Sequence, residues 1–335
     1  MLRCMLSVFI RTGDGRVITD SDSSHLIEAL RDPKAAFWVD IDRPSDEELA
    51  LLDDVFGFHP LAIEDTINYQ QRPKIESYDH MGDMNRQGYF YMVIHGPDLK
   101  TFKEKVRTKE LDIFVSERYM VTIHEEPMTS IESVMKRVRA DPARMLNAGI
   151  DMLLHSVLDM LVDHYSPILD QLQETIEGLE DKAISQPTPL LLQEISQEKR
   201  NLMTLRRIIG PQRDVIAQLT RGEVPFIRET TRVYFRDVQD HLVRAVELIE
   251  LYRELIASAR DLYMTSISNN LNVIMKTLTI ITVITAVLNV ITGFFGMNFE
   301  HIPGLQSSWA FWMTVIVMMS VVTTLIIAFW RRKWL

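Results

Sequence analysis

Residues 277–299 read TLTIITVITAVLNVITGFFGMNF, 23 positions without a charged side chain. A second uncharged stretch, 305–330, covers 26 positions rich in Val, Met, Ile and Trp. Each exceeds the roughly 20 residues an α-helix needs to cross a hydrocarbon layer about 30 Å thick. Only Glu300–Gly304 lies between them, which suits a membrane-spanning helical hairpin; a pair of buried core helices is the alternative. Lys276 precedes the first stretch, Arg331, Arg332 and Lys333 follow the second, and the joining segment carries only Glu300. By the positive-inside tendency, both chain ends face the cytoplasm and the loop faces outward. Met1-Leu2-Arg3-Cys4 opens without the apolar run of a signal peptide, in keeping with that orientation at a cytoplasmic (inner) membrane.

Outside the hairpin the chain changes character. The 335 residues carry a net charge of −10, of which residues 272–335 contribute +3, leaving −13 for the rest. An acidic soluble part thus adjoins a basic membrane collar. That sign argues against nucleic acid as a partner, because phosphate binding needs the opposite charge. A single cysteine, Cys4, excludes a disulfide framework and a Cys-based zinc cage. No G-x-x-x-x-G-K-[ST], H-E-x-x-H or G-x-S-x-G occurs, so ATP-driven transport and hydrolysis have no motif and no enzyme is expected.

The soluble part begins mixed and ends helical. β-like runs occur at Leu6–Ile10, Phe37–Ile41, Tyr89–Ile94, Leu111–Val115 and Tyr119–His124. Ser45-x-x-Glu48 is a capping box opening a helix that Gly57 can end, and another helix fits Met128–Arg139 before Asp141-Pro142. Alternating strands and helices predict an α/β domain over 1–142. A helical hairpin is expected over 143–225, one arm running from Ala143 to about Gln186 with a kink at Pro167, the other from Leu190 to Arg221. Between Pro225 and Gly293 there is neither Gly nor Pro. An unbroken helix there would span about 100 Å, 226–276 as a cytoplasmic stalk and 277–299 as the first membrane span. The alternative is two helices with a bend near Ser266–Asn272.

Along that helix, Asp261, Ser268, Met275, Thr282, Asn289 and Gly296 recur every seven residues, interleaved with Thr265, Asn272, Thr279, Ala286 and Gly293. Together they trace one seam, small or polar where the other faces are Ile, Val and Leu. Small residues permit close packing in lipid, and a threonine hydroxyl can bond its own helix. Alternatively the seam faces a wet axis for hydrated ions, which one hairpin cannot enclose and a cyclic homo-oligomer can. Glu247 and Glu254 continue the seven-residue series downward. Gly296-Met297-Asn298 closes the span with an amide oxygen that suits the water shell of Mg2+, although a plain helix C-cap fits as well. Asp151, His155, Asp159 and Asp163 share a helical face, as do Asp237 and His241; solvated surfaces are the simpler reading of both.

The stretch FGMNFEHIPGL at 295–305 resembles the signature loop of the CorA family of magnesium and cobalt channels, and RRKWL resembles its basic C-terminus. His59-Pro60-Leu61-x-x-Glu64-Asp65 with Gln71-Arg72-Pro73-Lys74, Tyr234-Phe235-Arg236-Asp237-x-x-Asp240-His241, and Asp261-x-Tyr263 through Met275-Lys276 match further family stretches in order. The resemblance implies an α/β cytoplasmic domain, long helices and a two-helix C-terminal hairpin, assembled as a funnel-shaped homopentamer in a lipid bilayer. It implies a passive channel for Mg2+, with Co2+, Ni2+ or Zn2+ as further ions, closed by regulatory Mg2+ between subunits. By position it assigns Gly296, Met297 and Asn298 to selectivity, with Glu300 in the outer loop. Asn272, Met275, Leu278, Thr282, Ala286, Asn289 and Gly293 would line the pore. Glu64, Asp65, Asp237 and Asp163 would bind regulatory metal, and Asp261, Arg331, Arg332 and Lys333 would stand at the cytoplasmic mouth. Gly304, Asn289, Ala286 and Pro167 depart from residues common in the family. A zinc transporter of the same architecture and a non-conducting, membrane-anchored Mg2+ sensor are the alternatives.

Overall fold

The computed structural model describes residues 5–19, 24–69, 71–78, 88–99, 106–297, 308–332 and 334. In chain order, β1 (Met5–Arg11), β2 (Val17–Thr19), α1 (Ser24–Arg31) and β3 (Ala36–Asp42) come first, then α2 (Asp46–Asp54) and α3 (Pro60–Ile67). A run of strands follows: β4 (Lys74–Tyr78), β5 (Tyr89–Pro97), β6 (Thr108–Val115) and β7 (Tyr119–His124). All five expected strands are present. The two additional ones, β2 and β4, are the edges of a seven-stranded sheet ordered β2-β1-β3-β7-β6-β5-β4. β2 is β-branched throughout but only three residues long, and β4 is largely polar, so neither shows as the longer β-branched and aromatic runs of the central strands. Only β3 and β7 run parallel, Trp38 opposite Met120 and Asp40 opposite Thr122. The remaining pairs are antiparallel.

Both faces of the sheet are covered, which is why every residue of β5 and β7 is buried. Val8, Phe37, Val39, Ile41, Tyr91 and Phe114 pack on one side with Leu26 of α1, Leu52 of α2, Ala62 of α3 and the intervening Phe58. The other face meets α4 (Thr129–Ala140), α5 (Pro142–Asn147) and α6 (Ile150–Asp163). The capping box forms as its spacing requires: the Ser45 N–H donates to Glu48 Oε2 at 2.9 Å. α2 ends at Asp54, and Gly57 turns the chain at φ 63°. The α3 start, unmarked by any capping box, uses Pro60 in the first turn and the His59 ring Nδ1 as acceptor for the Leu61 N–H.

The single helix expected from Ala143 to Gln186 is three. α5 and α6 are divided at Gly149, whose φ of 106° no side-chain-bearing residue adopts easily. α6 ends at Asp163, and α7 (Ser166–Ser185) starts anew with Pro167 in its first turn. The proline does not kink a continuing helix, since at that place its missing N–H has no partner to lose. α8 (Pro189–Arg221) follows, and α9 (Glu229–Phe295) is 67 residues long and uninterrupted through Ser266–Asn272, one helix rather than two. α10 (Ser308–Arg331) is the last. The chain divides into two compact units, one of residues 1–181 with 190–259, the other of 182–189 with 260–335.

Candidate ion pathway and metal-binding residues

The apolar segments of α9 and α10 have mean hydropathies of 2.2 and 2.3 over 18 residues, yet only 6% and 0% of those positions are buried. Core helices of a soluble protein of that composition would be covered by their own chain. On α9, Ile280 is buried and Val283, Ile284, Val287, Leu288 and Ile291 are half-buried, spaced as one helical face. Asn272, Met275, Leu278, Thr282, Ala286, Asn289 and Gly293 are all exposed. The small and polar seam thus lies on the uncovered part of the helix, Thr279 alone half-buried, in company with exposed apolar residues such as Ile274, Ile281 and Val290.

Its threonines use their protons internally. Thr282 Oγ1 donates to the Leu278 carbonyl at 2.8 Å, Thr279 to Met275 at 2.7 Å and Thr265 to Asp261 at 2.9 Å. Self-bonding and a wet axis are thus compatible, because each hydroxyl oxygen keeps lone pairs to accept from water. Asn272 and Asn289 make no side-chain hydrogen bond among the described residues. The helix stops at Phe295, and the Gly296 N–H reaches back to the Thr292 carbonyl at 2.9 Å. A Cβ at Gly296 would lie 3.2 Å from that carbonyl, a tight approach. Met297 is exposed; Asn298, Glu300, Gly304 and Lys333 lie outside the described residues. Asp261 is exposed on α9 beside Arg260 (3.3 Å), and Arg331 and Arg332 are exposed at the end of α10.

The four expected regulatory residues fall on two surfaces. Asp65, on α3, accepts from the Lys74 ammonium at 2.5 Å, and Lys74 also bonds Glu76 at 3.0 Å. Burial lowers the Lys74 pKa, but the Asp65 and Glu76 carboxylates outweigh it and hold the ammonium above its usual range. Glu64 is exposed on the same helix. Asp163 and Asp237 stand elsewhere, brought together by α6 and α9: His241 Nδ1 is 3.4 Å from Asp163 Oδ1. Asp159 and His155, one and two turns back on α6, complete the patch. Burial and then the Asp163 carboxylate push Asp159 above the ordinary carboxylate range, with Asp237 adding to the shift. Burial moves His155 down despite Asp159 and Asp237. The ring packs edge-on against Tyr234 and Phe235.

Carboxylate oxygens are suitable hard donors for Mg2+. Among the described residues, however, no three ligand-type side chains converge at coordinating distance. The α6 and α9 faces read from sequence as separate solvated surfaces are one surface. Their signal is the matching spacing, Asp159 with Asp163 and Asp237 with His241, each four apart on its helix. Asp151 differs from both readings. It is buried, and it accepts from Arg228 Nη2 (2.5 Å), Arg228 Nε (2.8 Å) and Thr231 Oγ1 (2.7 Å), fixing the first turn of α9 to α6.

Comparison with known proteins places these features in context. The model of the family described as CorA-like Mg2+ transporter protein matches residues 33–333. The putative metal ion transporter YfjQ of Bacillus subtilis is 35% identical over 309 residues, 92% of this chain and 93% of that protein. The cobalt/magnesium transport protein CorA of Thermotoga maritima is 30% identical over 307 residues, 91% of this chain and 85% of its own. Among solved structures, the complete CorA magnesium transporter of Methanocaldococcus jannaschii superposes with a TM-score of 0.83 over 100% of both chains, at 24% identity.

Proposed function

The chain belongs to the CorA-like Mg2+ transporter family, and from that premise we propose that it is a passive, Mg2+-gated channel for hydrated divalent cations. It is a membrane protein and a divalent-cation transporter. The uncovered polar seam of α9 is the observation that carries the channel reading. An amide facing hydrocarbon leaves its donors and acceptors unmet at a cost of several kcal/mol, so Asn289, within the span, requires water or polar neighbours. A homopentamer with α9 innermost supplies both, turning five seams into one wet axis.

In that assembly Asn298 forms the outer ring with Gly296 and Met297, and Glu300 attracts cations from the loop. Gly293, Asn289, Ala286 and Thr282 follow inward, Leu278 and Met275 form an apolar constriction, and Asn272 lies below it. Asp261, Arg331, Arg332 and Lys333 surround the cytoplasmic mouth. Neutral amide oxygens bond the water shell of an ion that dehydrates reluctantly, without holding it as firmly as carboxylates would. Both chain ends lie in the cytoplasm of an inner-membrane protein. The inward-negative potential then supplies about 4.6 kcal/mol per divalent ion at 100 mV, so no nucleotide hydrolysis is needed. Mg2+ and Co2+ are the expected cargo, with Ni2+ following.

The two separated carboxylate surfaces support the gating part of the reading. Asp65 and Glu64 of one subunit would face Asp237 and Asp163 of the next, so that a Mg2+ ion clamps the pair closed. Purified protein in liposomes is expected to pass Mg2+ down its gradient, with Asn298→Ala abolishing or strongly reducing uptake. No uptake, or uptake indifferent to that substitution, would overturn the channel. Preference for Zn2+ under competition would overturn the ion assignment alone.

A further inference from the structure

One cavity of the sheet unit, 640 Å3 in volume, has no part in ion passage or in the carboxylate patches. It lies beside β5 and β6 with α8 forming another wall, and its size falls in the range of small-ligand sites, about 300–1,000 Å3. Three arginines from separate parts of the chain line it: Arg72 ahead of β4, Arg107 ahead of β6 and Arg207 on α8.

The cavity also holds carboxylates, and what they do decides its chemistry. Asp98 and Glu126 share the Lys109 ammonium, at 3.5 and 3.4 Å, and that ammonium also donates to the Pro127 carbonyl at 2.9 Å. Glu110, buried, accepts the Gln71 N–H at 2.8 Å and lies 3.9 Å from His95 Nε2. Burial keeps His95 below its usual pKa, with Arg207 acting in the same direction, so the ring is a neutral neighbour. Asp98, Glu110 and Glu126 are thus engaged locally, and Glu125 is the fourth acid of the lining. Arg72, Arg107 and Arg207 make no side-chain hydrogen bond or ion pair among the described residues.

One unpaired surface arginine calls for no explanation. Three exposed ones from separate elements around one concavity can converge on a single anion, although the lining as a whole balances four cations with four carboxylates. Guanidinium groups bind oxyanions through two parallel N–H···O bonds, a geometry well matched to phosphate. Thr108 adds a hydroxyl to the same lining, whereas the Thr204 hydroxyl donates to the Arg200 carbonyl at 3.0 Å. A monophosphate is short for three guanidiniums placed on three separate elements, whereas linked phosphoryl groups offer each its own oxygens. We propose that this cavity binds a soluble polyphosphate anion of the di- or triphosphate class, held by Arg72, Arg107 and Arg207.

Such anions chelate Mg2+ through the same oxygens. The test therefore uses the full-length chain in detergent and buffer freed of divalent cations. Titration calorimetry with sodium pyrophosphate and with tripolyphosphate is expected to show saturable binding at one site per chain. Each of R72Q, R107Q and R207Q should weaken it about tenfold, the loss of one charge-assisted pair, and the triple variant should abolish it. R221A, on a surface arginine already paired with Glu223, should bind as wild type does. Thermal midpoints of all variants, compared with wild type, separate loss of the site from loss of the fold. Three results would overturn the proposal: no binding at about 10 mM anion, a folded triple variant that binds normally, or sulfate and orthophosphate binding as tightly as tripolyphosphate. Because the readout is binding and not ion flux, its failure leaves the channel reading intact.

Discussion

Replacing Asp151 tests how the long helix is held to the sheet unit. The carboxylate is 3% exposed and receives five donors: two guanidinium N–H groups, the Arg228 backbone N–H at 3.2 Å, the Met152 backbone N–H at 3.0 Å, and the Thr231 hydroxyl. Removing it does not cost five equal bonds, and the Met152 N–H keeps the Gly149 carbonyl at 3.2 Å as an acceptor. The Arg228 side chain is 54% exposed, so water replaces much of what its guanidinium loses, leaving about 0.5 kcal/mol. Thr231 is 2% exposed, and its orphaned hydroxyl costs about 1.5 kcal/mol. The backbone N–H, in a longer bond, adds about 1 kcal/mol. Asp151→Ala should therefore destabilise by about 3 kcal/mol, lowering the thermal midpoint by about 6–10 °C.

Asp151→Asn keeps one oxygen acceptor and loses the charge, so its cost should be about half as large. Burial opposes ionisation of Asp151, but hydrogen bonds from Arg228 and Thr231 outweigh it and hold the carboxyl below its usual range. A group depressed on folding stabilises above its unfolded pKa, about 3.9, and loses that contribution as pH falls through the folded value. Between about pH 5 and 8 the cost of either substitution should then be flat. Differential scanning fluorimetry of the purified protein at several pH values measures all of this. A midpoint shift for Asp151→Ala below about 2 °C, or equal damage from Asn and Ala, would refute the reasoning.

His124 lies 3.4 Å from Asp40 and 3.5 Å from Asp42, and although burial pulls its pKa down, Asp40 and then Asp42 outweigh it and raise it. Its stabilising contribution is complete below about pH 6.5 and fades as pH rises through the raised folded value, so His124→Gln should close its stability gap to wild type in alkaline buffer; a constant gap contradicts this. In flux assays, Asp237→Lys should weaken inhibition by internal Mg2+, and unchanged inhibition would place the sensor elsewhere. Lys74→Met should act oppositely, lowering the half-inhibiting Mg2+ concentration about three- to tenfold by removing the ammonium that occupies Asp65, whereas an increase would contradict the clamp.

Elements legible in the sequence are those whose pattern repeats within a few residues. The central strands announce themselves by β-branched and aromatic runs, α2 by its capping box, and the uncharged stretches of α9 and α10 by composition. The edges β2 and β4 do not, since an edge strand gains by being short or charged, and Lys74 and Glu76 of β4 also serve Asp65 and each other. The break at Gly149 depends on a backbone angle, and the break before Ser166 on Tyr165, buried with its hydroxyl on the His95 carbonyl at 2.8 Å. Neither leaves a mark in helical periodicity. Asp151 carries the same limit into function: four-residue spacing set it on the acidic face, and only the tertiary position of Arg228 makes it an anchor.

The two carboxylate surfaces differ in how they fare alone, and that difference gives the proposed clamp its direction. On α3, Asp65 has Lys74 as a partner within the same subunit, so losing a cation there exposes no bare charge. On α6 and α9, Asp159, Asp163 and Asp237 are crowded, with two histidines for company, and burial already strains the charged form of Asp159. A bound Mg2+ must compete with an ammonium on one side while relieving repulsion on the other. Competition lowers the affinity, which is what a sensor of an abundant ion requires. When the ion leaves, Lys74 closes on Asp65 while the carboxylates opposite repel without compensation, and both changes favour separation of the subunits. An apolar pair at positions 65 and 74 would forfeit the ligand, and a lone Asp65 would bind too firmly to release. The lysine in Gln71-Arg72-Pro73-Lys74 is on this reading part of the sensor, setting the concentration at which it lets go.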